Sequence, residues 1–172
     1  MRQDQSETIE WPDAGFPGIK INPLTLTPEI VDQDICDAAL RTRTDPADPI
    51  FVLIVQGHTA EAADLLAEAR YKDPESFPLR AFEAEILRVS HRYDRAIDLF
   101  RQLQSEFAGT PSEALVLHYL GRAHYVSGRP AAAVEAFSRA LDMRVASAAD
   151  AAQIYSSTVA LQRARQMVEI TG

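Results

Sequence analysis

The sequence predicts an all-α chain, with three antiparallel helix pairs stacked in a row and one further helix at each end. Three observations predict it. Ala62, Leu66 and Ala69 return as Ala96, Phe100 and Leu103, each 34 positions later, and return again as Ala133, Phe137 and Ala140, each 37 positions beyond that. Self-similarity at that period marks stacked supersecondary units. Turn formers separate the copies, at Gly57, Asp73-Pro74, Ser90-His91, Gly109-Thr110-Pro111, Gly128 and Arg129-Pro130. Alanine is abundant and glycine sparse, which favours helix over strand.

The elements follow in order. Residues 1–26 form an arm with prolines at 12, 17 and 23, glycines at 15 and 18, and no helical period. Trp11, Phe16, Ile19, Ile21, Leu24 and Leu26 are too many apolar residues for a purely solvating tail. The arm is therefore expected to be extended and only partly disordered, with Ile19 and Ile21 alternating with Lys20 and Asn22 as one strand on a surface. Residues 27–46 are expected to hold the first helix. Thr27 caps it, Pro28 takes the first helical position, Glu29 suits the positive end, and the helix runs to about Arg43. Ile30, Val31, Ile35, Ala38 and Ala39 then share a core-facing stripe, and Asp45-Pro46 and Asp48-Pro49 break it.

Residues 47–144 carry the three pairs, with helices predicted over 49–56, 59–71, 75–89, 93–107, 111–126 and 130–143. Thr59 and Thr110 suit N-caps, and Pro111 and Pro130 suit first turns. Helices this short need their neighbours. Residues 145–172 form a capping helix, with Ile154, Leu161 and Val168 spaced by seven.

Composition bounds the function. At 172 residues, 47% hydrophobic and 24% charged, the chain suits one globular domain. A net charge of −8 argues against a nucleic-acid partner, which needs clustered Lys and Arg. The local group Arg88, His91, Arg92 and Arg95 reads as a solvated face. The single cysteine, Cys36, forms no internal disulfide and reads as a buried, inert thiol. Met1 to Glu10 lacks the apolar stretch of a secretory signal, and no apolar run is long enough for a bilayer; a cytoplasmic location is the expectation.

The repeated positions resemble the tetratricopeptide repeat. That family places a small residue in the first helix of each pair, then Ala, an aromatic and Ala along the second. Leu117, Leu120, Gly121, Tyr125, Gly128, Ala133, Phe137 and Ala140 match best. Ala84, Leu87, Tyr93, Ala96 and Phe100 supply the middle unit, which has Arg80 and Glu83 where large apolar residues are usual. Gly57, Ala62, Leu66, Ala69 and Pro74 supply the first, whose leading helix is clipped by proline and has Ile50 at the small position. Small and bulky positions must alternate because paired helices approach closely only where Gly or Ala meets a large side chain. The extra residues between the second and third units fall near Phe107 to Pro111.

The resemblance implies a right-handed α-α superhelix whose first helices line a concave groove for a peptide or a partner helix. By register the groove would present Phe51, Ile54 and Val55, then Ala81, Glu85, Arg88 and Val89, then Leu115, His118, Arg122 and Tyr125. Some members clamp a chain-end carboxylate with Lys and Asn. The matching places here hold Ala47, Phe51, Ala81, Glu85, His118 and Arg122, so that mode is disfavoured. The reading is a non-catalytic adaptor or scaffold that takes a protein or peptide partner, with no nucleic acid, membrane, cofactor or metal. The arm or the terminal helix is a rival occupant of the groove. The alternative function is homo-oligomeric assembly, a homodimer for instance, through the terminal helix or the arm. No catalytic constellation is evident: His58, His91, His118 and His124 are scattered, and His124 reads as a packed core histidine. Asp94 and Asp98 share a face, but Arg95, Arg101 and solvent account for them.

Overall fold

A computed structural model of the chain describes residues 9–171. Eight helices and one short hairpin occur among them: β1 (Ile19–Ile21), β2 (Pro28–Ile30), α1 (Gln33–Thr42), α2 (Ala47–Val55), α3 (Thr59–Lys72), α4 (Phe77–Val89), α5 (Tyr93–Glu106), α6 (Glu113–Val126), α7 (Pro130–Ala146) and α8 (Ala151–Thr171). From α2 onward each helix packs on the next, and α4 also touches α2 and α6, the first helices of the neighbouring pairs. Contact restricted to near neighbours is the signature of a helical-repeat superhelix.

The recurring small residues are where helices meet. Ala62, Ala96 and Ala133 are fully buried, as are Phe100 and Phe137. Leu66 and Ala62 of α3 share a cluster with Ile50, Ile54, Leu79 and Phe82, while Ala96, Phe100 and Leu103 of α5 pack among Ala84, Val116 and Leu120. Gly121 is the tightest point. A Cβ placed there would lie 2.6 Å from two ring carbons of Phe137. Arg80 and Glu83, polar where the repeat usually has bulk, stitch α4 to both flanking helices. Arg80 pairs with Glu106 at 2.6 Å and lies over the Phe107 ring, and Glu83 pairs with Arg70.

The first helix starts later than its capping signal suggests. Pro28–Ile30 is a strand, antiparallel to β1, with Ile19 opposite Ile30 and Ile21 opposite Pro28. Proline is tolerated as the first residue of an edge strand. The hairpin can form because Gly18 takes φ +81°, and its carbonyl accepts from the amides of Val31 and Asp32. Asp32 then caps α1 by accepting from the Ile35 amide at 3.0 Å. The face buried by α1 is Cys36 with Ala39 and Leu40, packed on Phe16, Ile19 and Val52; Val31, Ile35 and Ala38 are exposed. Burial pushes the Cys36 thiol up, away from the reactive thiolate.

Most other boundaries move by a residue or two, but α7 runs three residues past 143 to Ala146, and the capping helix expected from residue 145 begins only at Ala151. Thr59 lies inside α3, behind a His58 cap that makes no side-chain bond. Thr110 folds back onto the Phe107 carbonyl and accepts from the Ser112 amide, so α6 opens at Glu113, beyond Pro111. The additional residues between the second and third units form this Phe107–Ser112 turn. Helix α8 packs on α7 in the same chain, with Ala160, Leu161 and Ala164 against Ala133 and Phe137. Ile154 and Val168 are half-buried beside that face.

Candidate functional site

The face of interest is built by α2, α4 and α6. None of the residues named for it by register is exposed. Ile54, Ala81, Glu85, Arg88, His118 and Arg122 are buried, and Phe51, Val55, Val89, Leu115 and Tyr125 are half-buried. Neighbouring helices bury Ile54 and Ala81, and the arm lies against Phe51, Val55, Arg122 and Tyr125. Phe16 packs on Phe51, with ring centroids 6.4 Å apart, and Phe51 stacks on Phe82 at 6.0 Å. At the other end the turn between the strands, held by Asn22 accepting from the Leu24 amide at 2.8 Å, lies against α6 and α8.

The grip on this turn is on its main chain. The Tyr125 hydroxyl donates to the Leu24 carbonyl at 2.6 Å, and the Arg122 Nε donates to the Leu26 carbonyl at 2.9 Å. Arg163 of α8 donates to both the Leu24 carbonyl and the Tyr125 hydroxyl. Leu26 sits at φ +59°, an uncommon region for a residue with a side chain, and its side chain is buried with Ala133, Phe137 and Leu161. Farther along the arm, the Tyr155 hydroxyl donates to the Glu10 carbonyl at 2.6 Å.

Beneath the arm lies a buried charge cluster. Arg88 and Glu85 form a two-pronged pair at 3.1 and 2.8 Å, and Arg122 approaches the same carboxylate at 3.6 Å. Burial alone would raise Glu85, yet Arg88 and Arg122 outweigh it and hold its carboxyl below the usual range. Burial likewise opposes the charge on Arg88, but Glu85 more than restores it; at Arg122 and Arg144 burial prevails and pulls the guanidinium down. Tyr119, under the Arg122 guanidinium at 5.6 Å, is pushed up to about 12 by burial and by Glu85. His118 is held well below its ordinary value by burial and by Arg122 and Arg144, so it is neutral. The Nδ1 atoms of His118 and His124 have no hydrogen-bond partner among the described residues. Arg88 thus lies inside the fold, unlike the exposed His91, Arg92 and Arg95, because Glu85 one helical turn earlier neutralises it.

A sequence model of the tetratricopeptide repeat family matches residues 83–152 and 119–164. Residues 83–164 of the chain belong to the tetratricopeptide repeat family. The matched span runs from α4 into α8, the stretch in which Gly121 meets Phe137; α2 and α3 precede it. Neither the curated proteins nor the solved structures gave a match. Tetratricopeptide repeats are protein-interaction modules, so the chain's repeats point to a protein partner. No helix among the described residues is long and apolar enough to cross a membrane.

Register within the repeat found Arg122 and Tyr125 but not what they hold. Nothing in the side-chain pattern of Leu24 and Leu26 reveals that their carbonyls are the contacts. Tyr119, Arg144 and Arg163 were also missed. Tyr119 is one position off the groove register, and Arg144 and Arg163 lie on helices to which the repeat assigns no groove role.

Proposed function

We propose that the α2, α4 and α6 face is a peptide-binding groove, and that the chain is a non-catalytic adaptor whose own arm occupies that groove until a partner replaces it. The observation that carries this reading is the pair of side-chain bonds from Tyr125 and Arg122 to the Leu24 and Leu26 carbonyls. Carbonyls are common to every peptide, so the same two donors serve any extended segment with a similar backbone path. The Leu26 pocket adds preference for an apolar side chain at one position. Binding-groove chemistry of this kind relies on main-chain bonds for affinity and pockets for specificity.

Assembly through the terminal helix is less well supported, because the apolar face of α8 is already spent on α7 of the same chain. The test is affinity capture of protein partners from the native cell extract with three forms of the full chain. Arg122→Ala with Tyr125→Phe is expected to lose the partners held by the wild type. Leu26→Asp, which weakens the arm and spares both donors, is expected to capture more of them. Equal capture by all three forms refutes the groove.

A further inference from the structure

A cavity of about 540 Å³ lies between the arm and the helices beneath it. That volume falls within the range of small-molecule sites. Its lining is ordered by chemistry. One part is aromatic, from Phe16, Phe51 and Phe82; another is polar and cationic, from His118, Tyr119, Arg122 and Arg144. Carboxylates stand at the mouth, half-buried at Asp48 and otherwise exposed, and most are already engaged: Asp13 pairs with Lys20, Asp48 with Arg43, and Asp45 accepts from the Ala47 amide.

The cationic part is short of negative charge. Two buried guanidiniums, Arg122 and Arg144, line it, and Arg122 shares the one carboxylate of Glu85 with Arg88, which holds it in the two-pronged pair. The other buried carboxylate, Glu113, sits at the start of α6 and accepts from the Gly109 amide. Arg144 has no carboxylate partner among the described residues. One of its terminal nitrogens donates to the Gln153 carbonyl at 3.1 Å and to the Ser157 hydroxyl at 2.7 Å, both neutral. Its remaining nitrogens and the Tyr119 hydroxyl make no hydrogen bond to another described residue. A buried cation without a counterion is costly, and a counterion supplied from outside removes that cost.

We infer that this cavity binds a small organic monocarboxylate with a flat apolar body. The carboxylate accepts from Arg144, Arg122 and the Tyr119 hydroxyl, and the body lies against Phe16, Phe51 and Phe82. Charge-assisted bonds supply the selectivity for an acid over its neutral isostere. The acidic mouth disfavours polyanions. Because the arm supplies Phe16 and part of the wall, a bound acid also fastens the arm.

The test is calorimetric titration of the full chain with 3-phenylpropionate and, in parallel, with 3-phenylpropionamide. The acid is expected to bind with a dissociation constant of roughly 0.1 to 1 mM and the amide about tenfold or more weakly. Arg144→Gln is expected to weaken the acid about tenfold while leaving the amide where it was. Arg144 also ties α7 to α8, so a second variant is needed that leaves this tie intact. Ala152 is exposed and lines the cavity, and Ala152→Trp should obstruct entry, abolishing acid binding with the unfolding midpoint unchanged. Equal binding of acid and amide, no binding of the acid at about 10 mM, or full binding by folded Ala152→Trp each overturns the site.

Discussion

Gly121 offers the most direct check of the packing that defines the repeat. Replacing it with alanine places a Cβ 2.6 Å from Cδ1 and Cε1 of Phe137 and 3.0 Å from Cγ. Comfortable carbon contacts are about 3.5 to 4.0 Å, so the ring must retreat by roughly 1 Å. It has little room. Phe137 is fully buried, tilted against His118 with centroids 5.3 Å apart, and enclosed by Leu26, Ala160 and Leu161. Overpacking of this kind costs about 1 to 3 kcal/mol. Against it stands the gain of about 1 kcal/mol when alanine replaces glycine within a helix. The net loss is therefore expected to be about 0 to 2 kcal/mol, too variable to interpret alone. A double-mutant cycle with Phe137→Leu separates the two effects by urea unfolding. Without the ring, Gly121→Ala should stabilise by about 0.5 to 1 kcal/mol, which gives a coupling of about 1 to 3 kcal/mol. Equal stabilisation in both backgrounds would show that Gly121 is only a poor helix former, and the close-contact reasoning would fail.

Gly18→Ala is expected to release the arm, because its Cβ would lie 2.4 Å from the Asp32 carbonyl oxygen at φ +81°. Trp11 is the sole tryptophan and is half-buried in the arm, so its emission should shift to the red while helical circular dichroism is kept; an unshifted spectrum refutes the account. Stability should also fall as the solution is acidified below pH 6.5. Burial lowers the pKa of His118 and His124, so the unfolded chain takes up protons that the folded chain refuses. The slope is about 1.4 kcal/mol per pH unit for each histidine, from 6.5 down to its folded value. Glu85, whose pKa is lowered, contributes stability above 4.5 that is lost as pH falls through its folded value, so its effect belongs to a more acid window. Urea midpoints from pH 7.5 to 5 that do not move would contradict the buried neutral state of His118.

Much of the array was legible because one physical requirement repeats. Ala62, Ala96 and Ala133 have to be small where helices cross, and their spacing sets the phase of the elements around them. The hairpin was half legible. The alternation of Ile19 and Ile21 located β1, while Thr27-Pro28-Glu29 imitated a helix start so well that β2 was hidden. What decided the matter was not local. Pairing with β1 satisfies the backbone of Pro28–Ile30, and Asp32 supplies a cap that Thr27 would otherwise have provided. Arg88 illustrates the same limit, since a basic residue beside His91, Arg92 and Arg95 looks solvated until its buried pairing with Glu85 is known. The cavity was illegible for a related reason: its walls come from the arm, five helices and the turn before α8, which share no sequence period.

The arm and the charge cluster are best understood as one energetic unit. The groove of an uncovered array is wet, and charged residues there cost nothing in desolvation. Glu85, Arg88 and Arg122 are all buried with the arm docked, and the arm meets this cluster through the Leu26 carbonyl bond to Arg122, a neutral acceptor that returns only part of the cost of burying that charge. Burial of Phe16, Ile19, Ile21 and Leu26 therefore overstates the strength of docking, because undocking returns the Arg122 guanidinium to water. A groove lined only by apolar residues would hold such an arm permanently. This one sets apolar gain against ionic desolvation, which is the balance that the proposed replacement of the arm by a partner requires.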